Sequence, residues 1–303
     1  MKRLVAAMSA IVAATYACGE TVTLSPAAGS TTNALALFTG STAVEIAGPG
    51  TVRLNPSNGH TGGTTLSGGT LEMSGNFTGD RSPVGAGTFT VSGGTLRGTG
   101  TFGGNITGTG AATVEAPDGW TWSGDNTFSE ALTISEGTIE VAGGTTTLGK
   151  HLYLLPAGDE PVGYLQSGGS VTMGANNLQL SYKAGSSSSF TMTGGSFDVN
   201  GKNALVGYNV ANASATVDIS GGAALRNIGN FYTHTKSGNS LAVSVRDGGT
   251  LGFGSIYNSS SDGALSLHVD GGTLANDTTG ISSARTTSNS SGWIRNNITS
   301  FKV

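Results

Sequence analysis

A single cysteine in 303 residues, Cys18, excludes a disulfide framework. Charge is almost as scarce. Asp, Glu, Lys and Arg make up 11% of the chain, with a formal net charge of −4 and no basic stripe. That leaves no electrostatic footprint for nucleic acid. No apolar run approaches the roughly 20 residues of a membrane-spanning helix. Long helices are disfavoured too, because the chain holds 51 glycines, each costing about 1 kcal/mol in a helix interior, and Thr, Ser, Asn and Val are middling helix formers. The hydrophobic content of 36% is nevertheless too high, at this low charge, for a disordered chain. Thr, Val, Ile and Phe set among glycines suit strands joined by tight turns, so the expected class is all-β.

The start of the chain reads as a signal peptide over residues 1–17. Lys2 and Arg3 precede an apolar run from Leu4 to Ala14, and Thr15-Tyr16-Ala17 forms a small-residue cleavage site. Cys18 would then be near the mature N-terminus, where a lipid anchor is conceivable. Thr15 and Tyr16 depart from the lipoprotein pattern, so plain cleavage is expected.

Gly-Gly pairs recur at Gly68-Gly69, Gly93-Gly94, Gly168-Gly169, Gly194-Gly195, Gly221-Gly222, Gly248-Gly249 and Gly271-Gly272, with Glu136-Gly137 as a variant. Their usual spacing of roughly 25 residues lies in the range of solenoid repeats. A turn former precedes each pair, as in Ser67, Ser92, Asp247 and Asp270. A small outward residue and an apolar inward one follow, as in Thr70-Leu71, Thr95-Leu96, Ala223-Ala224 and Thr250-Leu251. Upstream, Phe89 and Val91, Leu132 and Ile134, and Phe190 and Met192 alternate at period two, which is strand periodicity. All pairs are therefore assigned to one corner of a repeating coil, with bulges near Gly168 and Gly248 where the register shifts by one. A degenerate coil is expected around Thr113 to Gly119. One coil cannot bury its own apolar face, so roughly nine or ten coils stack at about 4.8 Å into a parallel β-helix. The organisation is an N-terminal cap or first strands over 18–46, a β-solenoid over 47–280 and a C-terminal cap or tail over 281–303. Gly69 and Gly195 are expected to resist alanine more than Gly110 does.

The stretch from Gly50 to Met73, with its Gly62-Gly63-Thr-Thr-Leu-Ser-Gly-Gly-Thr70-Leu71 core, resembles the autotransporter-associated β-strand repeat, and Gly119 to Val141 resembles a second, worn copy. The resemblance implies a right-handed parallel β-helix in an exported passenger region. Such passengers normally precede an outer-membrane barrel. The residues around Trp293 lack alternating ten-residue strands, so a barrel is not expected in this stretch.

Aligning the two copies sets Trp120 and Trp122 on Val52 and Leu54, and Phe128 on His60, which makes all of them interior residues rather than a sugar platform or a ligand. His151, His234 and His268 are scattered, without metal-ligand spacing. Gly98-Thr-Gly100-Thr-Phe-Gly103 has dinucleotide-loop spacing but no βαβ context. Asp198, Asn200 and Asn203 resemble a calcium loop without its distal acid. The Asn-x-Ser/Thr sequons at Asn76, Asn105, Asn276 and Asn297 follow from composition. Asp247 and Asp270 could form the carboxylate ladder of a polysaccharide-cleaving β-helix, but they read as Asx-type turns in equivalent slots. Asp159-Glu160 and Asp125 with Glu130 have no basic partner in a recurrent slot. No catalytic, cofactor-binding or metal-binding residue is assigned, and no cofactor. The expected role is an exported, non-catalytic stalk or adhesin-like passenger meeting the cell envelope, or an extracellular glycan or protein surface, by weak multivalent contacts. The alternative is a polysaccharide-degrading or glycan-binding β-helix. Tyr153, Tyr164, Tyr182 and the Phe231-Tyr232 pair are the candidate contact points.

Overall fold

Strands that alternate small outward and apolar inward residues can cover a core when each coil is roofed by the next, and this is the arrangement in a computed structural model of the protein. It describes residues 4–6, 19–34, 38–54, 58–77, 82–276 and 300–302. There is no helix among them, and each strand pairs in parallel with strands one coil away. The expected parallel β-helix is the fold.

Three faces run along the axis. The first carries Thr21–Leu24, Ala43–Ile46, Thr64–Leu66 and Phe89–Val91, and continues to Thr273–Ala275. The second begins at Thr31–Asn33 and Thr51–Arg53 and passes through the starts of Thr70–Phe77 and Thr95–Phe102. The third takes the ends of those long strands and, later, the separate strands Ser187–Met192, Ser214–Ile219, Ser240–Arg246 and Leu265–Asp270. The ladder includes strands within 18–46, so those residues already form rungs of the solenoid. Leu4–Ala6 pairs with Val22–Leu24, while residues 7–18, and with them the cleavage site and Cys18, lie outside the described residues.

Inward columns are continuous. On the second face Val52, Leu71, Leu96 and Val114 register one above another, all with no exposed surface. An aromatic knot fills the middle of the shaft. Trp120 packs edge-on against Trp122 at 5.4 Å, and Trp122 stacks on Phe128 at 6.0 Å. The expected coil between Gly94 and Glu136 is therefore present as the strand Ala112–Trp122. Gly98, in the dinucleotide-like stretch, has a packing role, since a Cβ there would strike the Trp120 indole.

Four expectations need correcting. The Gly-Gly pairs do not share a corner: Gly68-Gly69 and Gly93-Gly94 turn from the first face to the second, whereas the pairs from Gly168 onward turn from the third to the first. Gly137 marks a further corner, between the second and third faces. The 25-residue period holds later in the chain, but Ile106 and its partner Asn126 are 20 residues apart. No bulge lies near Gly168, because the inward residue there is Gln166, fully buried and held by amide bonds to Gly169 O and Ser196 O. Near Gly248 the extra residue is in the corner itself, where Asp247 adopts φ 51°. At Gly221-Gly222 a similar extension moves the outward slot to Ala224 and the inward one to Leu225.

Candidate functional site

The outward column of the second face changes character halfway along. Thr31, Thr51, Thr70, Thr95, Thr113 and Thr133 follow one another in register. The same column then continues as Tyr153, Gln179, Leu205, Tyr232 and Tyr257. Beside the threonines runs a charge ladder in which Arg53 pairs with Glu72 at 2.9 Å, and Arg97 with Glu115 at 2.5 Å and Glu136 at 2.8 Å.

Beside the later residues lies an aromatic stripe. His151 and Tyr153 have ring centres 4.8 Å apart, Tyr153 and Tyr182 5.1 Å, Tyr182 and Tyr208 6.0 Å, and Tyr208 and His234 4.8 Å. Tyr232 stacks on Tyr257 at 5.1 Å, with planes 4° apart. Burial raises the Tyr153 phenol pKa, with Tyr182 and Tyr208 adding to it, and raises that of Tyr232, with Tyr257 and Tyr208 adding. Leu205, in register with both Gln179 and Tyr232, puts the two groups on one column. Tyr208 is the exposed large apolar side chain among the described residues, at 37%. Leu205, in an outward slot, is nonetheless fully buried and stands outside the main core cluster, so the stripe has a small apolar layer of its own.

Both histidines of the stripe accept a backbone N–H at Nδ1, His151 from Asn177 at 3.2 Å and His234 from Asn209 at 3.3 Å. For His234 the proton of the neutral ring is therefore on Nε2, whereas His151 Nδ1 lies equally 3.2 Å from Asn177 O, to which it donates in the other tautomer. Desolvation, helped by Lys236, lowers the His234 pKa. The amide of Gln179 approaches His151 Nδ1 at 3.3 Å, while its Oε1 is buried without a partner.

Of the aromatics expected at the surface, Tyr153, Tyr182 and Tyr232 belong to this stripe. Tyr164 and Phe231 are core residues. Trp120 and Trp122 are interior, as expected. His60 is interior as well, but it does not share a column with Phe128, which registers through Gly108 with Val91. His60 Nε2 lies 2.9 Å from the Thr64 hydroxyl, which donates to Val84 O, so Nε2 carries the proton and burial lowers the pKa. His268 is on the third face, in register with Ser244.

The acidic candidates are engaged in building the shaft. Asp247 and Asp270 are not in equivalent slots, because Arg246 is the residue opposite Asp270. Arg246 binds Asp247 at 2.8 Å and Asp218 at 2.9 Å. Glu130 does have a basic partner, Lys150 one coil on at 2.5 Å, and Lys183 stands 3.9 Å from Asp159. Asp125 accepts the N–H of Thr145 at 2.7 Å, and Asp198 that of Asn200 at 2.7 Å along with the Asn227 amide at 2.9 Å. The last contacts make the calcium-like run a coil-to-coil brace. Asn203 continues it, accepting the Asn230 N–H at 3.1 Å.

The fold and these braces define a parallel β-solenoid whose polar residues bind one coil to the next. The family described as passenger-associated-transport-repeat matches residues 47–73 and 120–141, the two stretches whose repeats resemble each other. No curated protein and no solved structure matches the chain. Among the described residues, no helix is long and apolar enough to cross a membrane.

Proposed function

We propose that the protein is an exported, surface-displayed β-solenoid that acts as a stalk or adhesin-like passenger and catalyses nothing. The passenger-type repeats carry the reading, since passengers of that type are built for display outside the cell. The leader-like residues 1–17 agree with it. So does the use of the carboxylates: Glu72, Glu115, Glu130, Glu136, Asp218 and Asp247 are each engaged by an arginine or lysine. A glycosidase needs one carboxyl group held protonated and another ionised at a defined separation. A repetitive rod instead offers many similar weak contacts, and multivalency turns these into adhesion.

The test is fractionation of producing cells, with protease shaving of intact cells. Protease-sensitive protein in the envelope fraction, or intact protein in the medium, supports the reading, whereas a protected cytoplasmic pool defeats it. The catalytic part is tested separately by product release from pectic, alginate and host-type glycans. Turnover lost in Asp247→Ala or Asp270→Ala with the fold intact would establish the enzyme reading instead.

A further inference from the structure

We infer that the stripe formed by His151, Tyr153, Tyr182, Tyr208, His234 and Tyr232 binds a neutral, extended polysaccharide chain lying along the solenoid axis. The surface is amphiphilic in the same sense as a pyranose. Its rings are apolar, and their polar groups are phenol hydroxyls and imidazole nitrogens, with the His234 Nε2–H fixed by the backbone bond at Nδ1. It is also periodic. From Tyr153 through Tyr182 and Tyr208 to His234, ring centres in neighbouring coils lie 4.8 to 6.0 Å apart, following the strand spacing of about 4.8 Å, a rise close to the length of one pyranose unit in an extended chain.

Ring geometry decides how such a chain would lie. Tyr182 and Tyr208 are inclined by 17°, so each covers the other's face and offers mainly edges and hydroxyls. His151 and Tyr153 are inclined by 32°, Tyr153 and Tyr182 by 42°, and Tyr208 and His234 by 68°. At these tilted junctions part of a ring face is left open, and the C–H face of a sugar can rest on it. The chain would therefore alternate between stacking contacts and hydrogen bonds along its length.

Two further observations point to a ligand rather than to bare surface. Gln179 is 4% exposed, sits between Tyr153 and Leu205 in the column, and has a carbonyl oxygen without a donor. An unpaired buried acceptor is destabilising, and a hydroxyl brought in when the stripe adjusts around a sugar would satisfy it. None of the stripe's rings carries a permanent charge: they are phenols, those of Tyr153 and Tyr232 with pKa values raised by burial, and imidazoles, that of His234 lowered by desolvation and Lys236. That suits an uncharged chain better than a polyanion.

The inference deepens the adhesin-like reading, but its test on purified protein does not depend on where the cell places the chain. Affinity electrophoresis and calorimetry would use the full-length protein with cello-, xylo- and chito-oligosaccharides of three and six units, hexagalacturonate, and zwitterionic and anionic vesicles. The expected result is binding of a neutral hexasaccharide more tightly than its trisaccharide, weakened about ten-fold in Tyr182→Ala and Tyr208→Ala and unchanged in Thr127→Ala on the first face. Tyr208→Phe, which keeps the ring, should retain most of the affinity. The inference is overturned if no neutral oligosaccharide binds, if the tyrosine variants bind as the parent does, if vesicles or hexagalacturonate bind in preference, or if the stripe proves to hold a second copy of the chain, seen as a dimer lost in Tyr208→Ala.

Discussion

The solenoid's two halves build the same outward column from different chemistry. Up to Thr133 it is a row of threonines flanked by Arg53, Glu72, Arg97, Glu115 and Glu136, and from Tyr153 it is tyrosines with the buried Gln179 and Leu205 between them. The coils differ in step. The first half contains turns of 20 residues, as between Ile106 and Asn126, with second and third faces shared by single long strands such as Thr95–Phe102. In the second half His151 and Asn177 are 26 residues apart, and the third face has strands of its own, such as Ser214–Ile219. The added residues form wider corners, and Tyr182, Tyr208 and His234 stand just past the ends of second-face strands. The lesson is that the core slots repeat throughout while the surface is free to specialise, and lengthening a coil by about six residues is enough to mount a new surface on an unchanged shaft.

The sharpest way to break this comparison is to attack what both halves share. Leu71 lies between Val52 and Leu96 in the first half, and Leu251 between Leu225 and Leu274 in the second; both leucines have no exposed surface. Aspartate at either position puts an unpaired charge in a stacked apolar column. Loss of packing and transfer energy alone costs about 2 to 5 kcal/mol, and the buried charge adds to it. Chemical denaturation should show both variants largely unfolded or shifted to a much lower midpoint. A parent-like midpoint for Leu71→Asp would remove that residue from the interior.

A smaller effect separates the corners. Gly195 has φ 71°, and a Cβ there would meet the carbonyl oxygens of Gly169 and Gly168, the latter at 2.6 Å. Gly222 has φ 77° but open space around it. Alanine at Gly222 should cost about 1 to 2 kcal/mol from backbone strain alone, and at Gly195 clearly more, read as the difference between thermal midpoints. Gly110 is not the permissive control that repeat counting indicates. It lacks a positive φ, yet its Cβ would fall on Ser92 O, so Gly110→Ala should also be costly. Equal midpoints for Gly195→Ala and Gly222→Ala would mean the coils slide apart freely at the corners.

These corners also show what was legible in the sequence. Alternation around Phe89, Leu132 and Phe190 placed inward residues correctly, because period-two burial is a local property of one strand. Which corner a Gly-Gly pair occupies is not local. All three corners ask for a turn former, a left-handed glycine and then a small outward residue, so pairs at Gly68 and Gly168 look alike although they turn between different faces. Gln166 misled for a related reason, since a polar residue reads as outward unless its hydrogen-bond partners, Gly169 O and Ser196 O, are known. The aromatic stripe was half visible. Tyr153, Tyr182 and Tyr232 stood out, but their union with Tyr208, His151 and His234 depends on coils about 26 residues long bringing distant corners side by side.

Acid should affect both halves through one histidine each. His60 in the first half and His234 in the second have pKa values lowered on folding, by burial in both cases and also by Lys236 for His234. The unfolded chain therefore binds protons first as pH falls through the usual imidazole value of about 6.5. Stability is unaffected by these groups well above that pH, declines below it, and stops declining once the folded-state imidazoles are charged. The thermal midpoint should drop between pH 7.5 and 5, and the drop should shrink in His60→Phe. An identical pH dependence in that variant would mean His60 does not contribute.

The smallest expected effect concerns the charge ladder that distinguishes the first half. Arg97 lies between Glu115 at 2.5 Å and Glu136 at 2.8 Å, but its side chain is 34% exposed and those of the glutamates 24% and 41%. Water screens such pairs, and fixing three long side chains costs entropy, so exposed ion pairs contribute about 0 to 1 kcal/mol. Two effects act together in Arg97→Gln. The pairs are lost, and Glu115 and Glu136, which are in register with each other, face one another without the cation between them. The second effect is repulsive and brings the expected loss toward the upper end of that range. It should also be sensitive to salt, because at 1 M ionic strength the screening length falls to about 3 Å. The difference in denaturation midpoint between parent and Arg97→Gln should thus be measurable in dilute buffer and nearly vanish in 1 M NaCl. A difference that persists in high salt would show that Arg97 acts through the packing of its aliphatic stem along the ladder, as the aromatic rings do in the second half, and the two halves would then differ less in physics than in residue type.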